Sequence, residues 1–320
     1  MINIKAIGGI TGKFILMMAL MVLLGFIVPR LMPGNPLTSS VDRALPPDTL
    51  LYFTQYYAPE ESIWYQLWLY AKHLLRFDLG HSFYYGMPVL ELITGRLGWT
   101  LFLSLTALLL AYTIAIPMGI WSALSTKRYK DSVAVFSNIV AQSVPVFLIA
   151  LLIQLVIAYR LNWLPAQGAY TPGITPENSG YYSNVALHSV LPLTALVISL
   201  IPSIFILTRN VIMRVKNESF VELARYLNIN QNNINNKYIL RNSLPEIVSK
   251  LNIGFVYAIA GTIFVEIIFS YPGLGTLTKI AVDGRDYPLI QGIFLVIGFY
   301  GILVNIVFDF IQQRLNPWLR

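Results

Sequence analysis

The chain has 320 residues, 56% of them hydrophobic and only 12% charged, and a mean hydropathy of +0.63. A soluble domain carries about a quarter charged residues, so a water-facing surface over most of this chain is excluded, and the net charge of +7 sits beside apolar runs, where it reads as membrane topology rather than nucleic-acid binding. There is no cysteine, which excludes disulfides, thiolate zinc sites and Cys nucleophiles, and His73, His81 and His188 lie too far apart for an HExxH-type metal pair.

Six apolar stretches approach the ~20 helical residues that cross a hydrocarbon core: Phe14–Met32, Trp99–Ala123, Val133–Tyr159, Leu187–Thr208, Leu251–Ser270 and Leu289–Gln312. In lipid each span must satisfy its own backbone hydrogen bonds, so all are read as helices. The first follows Lys5 and Lys13 as a signal peptide would, but PRLMPGNP comes next in place of a small-x-small cleavage site, and an uncleaved first span is the better reading. Gly8-Gly9-Ile10-Thr11-Gly12-Lys13 falls short of a phosphate-binding loop: three residues separate the outer glycines instead of four, and Phe14 follows the lysine. No nucleotide site is therefore expected on this chain.

Between the first two spans, residues 34–98 carry Tyr52, Tyr56, Tyr57, Trp64, Tyr65, Trp68 and Tyr70. Such aromatics favour the water–lipid boundary, and a short surface helix around Ile63–Leu75 accounts for them. Pro117, Pro145, Pro192 and Pro202 punctuate spans two to four. Each removes a helix hydrogen bond and bends the axis; this suits a protein that changes shape around a pathway, and it is also ordinary in membrane helices. Residues 271–288, rich in Gly and Pro, are expected to dip back toward the membrane, with Pro272, Gly273, Leu274 and Gly275 setting a tight turn. Among ionisable groups in the spans, Glu266 stands near the outer end of the fifth, and Asp309 near the opposite end of the sixth. Glu266 either anchors the next loop or meets cargo; Asp309 reads as interfacial.

The loops after spans two and four hold Lys127, Arg128, Lys130, Arg209, Arg214, Lys216, Arg225, Lys237, Arg241 and Lys250, whereas the loop after span three has only Arg160 and the loop after span five only Lys279 and Arg285. The basic side, with both termini, is expected in the cytoplasm. The chain divides into a first span with its long external loop (1–98), a five-helix core (99–312) and a cytoplasmic tail (313–320).

The loop at 209–250 carries most information. Ser219 and Glu222 have the spacing of a capping box, Phe220, Val221, Leu223, Ala224 and Leu227 form an apolar stripe at helical spacing, and Asn228 stands where a left-handed residue stops a helix. A second short helix is expected to end before Leu244-Pro245. A helical hairpin with an exposed apolar stripe needs a partner.

This segment resembles the EAA motif of the membrane components of binding-protein-dependent ABC importers, in the dipeptide, oligopeptide and nickel permease group. That motif reads Glu-Ala-Ala, three residues, Gly, then a later Leu-Pro; here it is Glu222-Leu223-Ala224, three residues, Asn228, then Leu244-Pro245. Leu223 and Asn228 depart from it, the second mildly because Asn also tolerates positive φ. Further similar stretches, in the same order, are LMPGNPL at 31–37, FDLGHSFYYGMPV at 77–89, SVPVFLIALL at 143–152, LNWLPAQG at 161–168, LRNSLP at 240–245, VEIIFSYPGLGTL at 265–277, RDYPLIQG at 285–292 and the terminal LNPWLR.

The resemblance implies an all-α membrane protein of the type I ABC importer kind: six transmembrane helices and a cytoplasmic coupling loop. It implies a multi-pass permease in a bacterial or archaeal cell membrane. The expected partners are a second, homologous permease subunit, two ATP-binding cassette subunits that carry ATP and Mg, and an external solute-binding protein. Ser219, Glu222, Leu223, Ala224, Arg225, Asn228, Leu244 and Pro245 are then the contact with the ATPase, and Glu266, Pro272, Gly273 and Gly275 a gate or external loop. Arg225 pairs either with Glu222 or with the ATPase. Peptides are the expected cargo, with nickel or a metal–chelator complex as the alternative. An ATP-independent channel or ion-coupled transporter would place several ionisable groups mid-span, and a membrane enzyme would cluster His, Asp or Glu; the sequence shows neither pattern.

Overall fold

A computed structural model describes residues 4–31, 56 and 60–315. Most of LMPGNPL, Tyr52, Tyr57 and the tail beyond Leu315 lie outside the described residues. The described residues are helical almost throughout: α1 (Ile4–Arg30), α2 (Ile63–Leu74), α3 (Val89–Leu124), α4 (Arg128–Gln142), α5 (Val146–Ile153, continued as a π-helical stretch Gln154–Arg160), α6 (Tyr181–Lys216), α7 (Ser219–Tyr226), α8 (Gln231–Ile268), α9 (Leu274–Asp283) and α10 (Tyr287–Leu315).

Four of these, α3, α6, α8 and α10, are long and apolar enough to cross a membrane; α4 with α5 makes a fifth if the bent pair is one span, and α1 contributes a shorter apolar stretch, Phe14–Val28. In the four long helices only 28–44% of the most apolar window is buried, so the rest needs a cover other than water. α3, α6 and α10 run past the expected spans at both ends, and α1 and α8 at their N-terminal ends, because a terminal turn too polar for the core of a bilayer is still a good helix.

The span expected over Val133–Tyr159 is not one kinked helix. Its halves meet at 88°. Pro145 has no N–H to give to Ala141, and it drives Val144 out of the helical region. The chain stops at Ser143, whose N–H and hydroxyl both turn back to the Ile139 carbonyl (3.2 and 3.0 Å), and Pro145 (φ −59°, ψ 143°) starts α5 afresh.

By its packing the chain forms two units: the described parts of Met1–Trp99 with Pro272–Leu303, and Thr100–Tyr271 with the described residues from Val304 on. In the first unit, Ser62 caps α2, its hydroxyl accepting from the Tyr65 N–H (3.4 Å). α2 then turns Tyr70 onto Phe26 of α1 (ring centroids 5.7 Å apart) and leaves Trp64 and Trp68 exposed. Gly292 faces Val89 and Ile93 of α3, and Gly298 faces Met21 of α1, with no room for a Cβ at either place; small residues let membrane helices approach this closely. Asp286 is buried and ties the unit together. It accepts from the Ser82 hydroxyl, the Tyr84 N–H (2.9 Å) and the Leu289 N–H (3.2 Å), so one carboxylate holds the 82–84 turn and caps α10.

In the second unit, α3 approaches α6 at Gly119, where a Cβ would stand 3.0 Å from the Phe205 carbonyl oxygen. Tyr112 of α3 donates to the Leu251 carbonyl of α8 (2.6 Å), beside Gly254. Asp131 of α4 accepts from Ser122 of α3 (2.7 Å) and pairs bidentately with Arg209 of α6 (Arg209 Nε to Oδ1, 2.9 Å). One carboxylate thus joins three helices.

Candidate functional site

The two short helical pieces after α6 are placed by the helix ends that adjoin them. α6 ends with Arg214 and Lys216 in its last turn, cations at the negative end of a helix. Lys216 Nζ donates to the Ala123 carbonyl at the end of α3 (2.9 Å), and Arg225 Nη2 reaches back to the Lys216 carbonyl (3.5 Å). Arg225 thus turns toward the end of α6.

α7 begins at Ser219, but the expected capping box is not formed. Glu218 is the N-cap, extended at φ −73° and ψ 147°, with no side-chain cap hydrogen bond. Ser219 is already the first helical residue, one position too late to cap. Glu222 stays exposed and accepts from the Tyr226 hydroxyl one turn on (3.3 Å).

The apolar stripe expected along α7 divides into two faces. Val221 (0% exposed) and Ala224 (2%) belong to a buried cluster with Ala123, Val211, Ile212, Ile234, Ile239 and Ile247. Burying a valine stabilises by roughly 1.5–3 kcal/mol, enough to fix the roll of so short a helix. Phe220 (40%), Leu223 (58%), Tyr226 (75%) and Leu227 (65%) face outward. Ala224 is small because it is inside; Leu223, where the EAA pattern has alanine, is large because it is not.

The stop is set by Asn228, left-handed at φ 53°. The Asn228 N–H returns to the Arg225 carbonyl (3.0 Å) and the Ile229 N–H to the Ala224 carbonyl (3.2 Å). These two bonds make a Schellman motif, and Ile229 packs on the cluster that holds Ala224, the apolar contact that accompanies such a stop. Asn230 then caps the next helix, its side chain accepting from the Asn232 N–H (2.9 Å). Asn230 is a capping residue the motif reading missed; its signal is an Asn two places after a left-handed residue and just before a helix.

The second helix does not end before Leu244-Pro245. It is the start of α8, which runs from Gln231 to Ile268 without a break, through a π-helical stretch, Ile234–Leu240. Widening the turn just upstream lets Pro245 sit inside a helix. Carbonyls there are taken by side chains: Ser243 Oγ donates to Ile239 (2.8 Å) and Asn242 Nδ2 to Tyr238 (2.6 Å). Leu244 is exposed and Pro245 half-buried. Glu246 accepts from both Arg214 and Lys250 (2.9 Å to the latter), tying α8 to the end of α6.

Of the residues named for a gate, Glu266 lies apart from this site. Glu266, fully buried, is 22 residues up α8 from Leu244, about 33 Å at 1.5 Å per residue. The Tyr271 N–H closes on its carbonyl (2.8 Å), with Ser270 left-handed, a second Schellman stop. Pro272 is half-buried; Gly273 caps α9 and Gly275 is buried in its first turn, so the expected tight turn opens a helix of ten residues.

Comparison with known proteins fits this arrangement. A family model described as binding-protein-dependent transport system inner membrane component matches residues 115–320. The chain is 28% identical over 295 residues to a glutathione transport system permease protein of Salmonella choleraesuis, covering 92% of each. It is 27% identical over 308 residues to a probable peptide ABC transporter permease protein of Sinorhizobium fredii, covering 96% of each. Over 302 residues it is 27% identical to an oligopeptide transport system permease protein of Haemophilus influenzae, covering 94% of each. Two solved inward-facing forms of the MetNI methionine ABC transporter share the fold, with TM-scores of 0.58 and 0.54 at 12% identity, over 71% of this chain and 97% of theirs.

Proposed function

We infer, from the premise that this chain belongs to the family of binding-protein-dependent transport system inner membrane components, that it is the membrane-spanning permease subunit of an ATP-driven importer of peptides. The relatives named for glutathione, peptide and oligopeptide transport, each matched over nearly its whole length, support that cargo class.

The observation that carries the mechanism is the division of α7 into two faces. Val221 and Ala224 lock it to the bases of α3, α6 and α8, while Phe220, Leu223, Tyr226 and Leu227 present an apolar surface outside the long spans. A helix fixed on one side and sticky on the other passes force from a separate subunit into the spans it is bolted to. In this reading the surface seats on an ATP-binding cassette subunit at the cytoplasmic side, and ATP with Mg belongs to that partner. Two such partners closing on ATP turn α7, and the π-helical base of α8 carries the turn upward, so that the pathway between this chain and a second permease subunit opens to each side alternately. A solute-binding protein delivers cargo from outside. Glu222 and Arg225 form the charged rim of the contact, and Leu244 with Pro245 its second edge.

Co-purification tests the assignment. Leu223→Arg is expected to abolish recovery of the ATPase subunits with the permease, while Leu109→Arg, on an exposed part of α3, leaves the ATPase contact intact in whatever protein reaches the membrane. Full recovery with Leu223→Arg would overturn it.

A further inference from the structure

Between the last turns of α6 and the middle of α8 lies a groove of about 240 Å³, lined by Leu207, Asn210, Val211, Arg214 and Lys250. It is smaller than the ~300–1,000 Å³ of pockets that enclose drug-sized ligands. Its lining is graded. Leu207, Val211 and Arg214 succeed one another on one face of α6, so the groove is apolar on the side toward the span and cationic at its basic end. Arg214 and Lys250 are about half exposed and share a single carboxylate, Glu246. Two cations on one anion leave a net charge of +1. A guanidinium has five N–H donors and an ammonium three, more than one carboxylate takes up. Both flanking helices are long enough to cross a bilayer, and their apolar stretches end near Thr208 and begin near Leu251, so the groove falls where a hydrocarbon core would give way to headgroups. Basic pockets between membrane helices, on the side of the Lys/Arg-rich loops, are where anionic headgroups bind.

We propose that this groove binds one anionic phospholipid, its phosphate on Arg214 and Lys250 and the start of its acyl chains on Leu207 and Val211. Glu246 holds the two cations in place and weakens the site by its own charge. The lipid bridges α6 and α8 just above α7, at the joint through which the coupling helix acts. The site does not depend on the reading of α7 as an ATPase contact.

The test is native mass spectrometry of the full-length chain released from nanodiscs of phosphatidylcholine doped with phosphatidylglycerol, counting retained lipids. The intact chain is expected to keep one phosphatidylglycerol that phosphatidylcholine does not replace. Arg214→Gln with Lys250→Gln should lower its retention on the order of tenfold or more, whereas Arg128→Gln, an exposed cation elsewhere, should leave it unchanged. Glu246→Gln raises the site's charge and should increase retention; a purely structural ion triad would instead lose lipid with all three substitutions, and that result would overturn the proposal. Unchanged retention in the double variant would also overturn it. Excess inorganic phosphate should not displace the lipid; displacement would assign the groove to a free anion instead.

Discussion

Leu223 and Ala224 are neighbours with opposite surroundings, and their substitutions should separate folding from coupling. Ala224→Leu forces three extra carbons into the cluster around Val221, Ile234 and Ile239, and overpacking of this kind costs about 1–3 kcal/mol; thermal unfolding of the purified chain should show the loss. Leu223→Ala removes mostly exposed surface and should leave that transition nearly in place while weakening ATPase recovery. Asn228 makes a related point. Its φ of 53° is open to Gly, so Asn228→Gly should hold or raise stability by up to ~1 kcal/mol, whereas the β-branched Asn228→Val should lower it by about 1 kcal/mol or more. The same left-handed stop, with the same pair of returning N–H bonds, is filled by Ser270 after α8, by Arg285 after α9 and by Phe77 after α2. The one at Asn228 was legible in the sequence because Asn announces it. Phe77 and Arg285 announce nothing, since their conformation is imposed by the adjoining chain and its packing rather than by the residue itself.

Among the elements, length and apolarity made the long helices visible, the run of aromatics pointed to α2, and helical spacing made α7 visible. The bend of 88° between α4 and α5 was not, because a proline in an apolar run signals a break without its angle. The continuity of α8 through Pro245 was hidden for the opposite reason: the π-helical turn that accommodates the proline leaves no pattern in INNKYIL. Nor did local sequence reveal the ties that hold the candidate site, since Asp131 meets Arg209 across 78 positions and Lys216 meets Ala123 across 93. The Asp131–Arg209 pair is mostly shielded, with side-chain exposures of 19% and 22%. Arg209→Ala leaves Asp131 without its cation and should destabilise by roughly 2–3 kcal/mol, below the ~3–5 kcal/mol of a fully buried pair. Exchanging the two residues, Asp131→Arg with Arg209→Asp, should recover part of that loss in the same unfolding assay; no recovery would mean that geometry, not charge, sets the contact.

For the molecule as a whole, the proposed function is that of a membrane bundle with one handle on the cytoplasmic side. On the proposed function, the basic loops lie in the cytoplasm, the spans form the pathway, and the outer face of α7 receives the motor. The absence of cysteine makes a direct measurement available: Leu223→Cys would carry the chain's only thiol, on the exposed face of α7. Labelled with a membrane-impermeant maleimide, it should react in inside-out vesicles and not in intact cells, and co-expressed ATPase subunits should protect it. Labelling from outside, or equal labelling with and without those subunits, would contradict the claim that α7 is the seat of the ATP-hydrolysing partner.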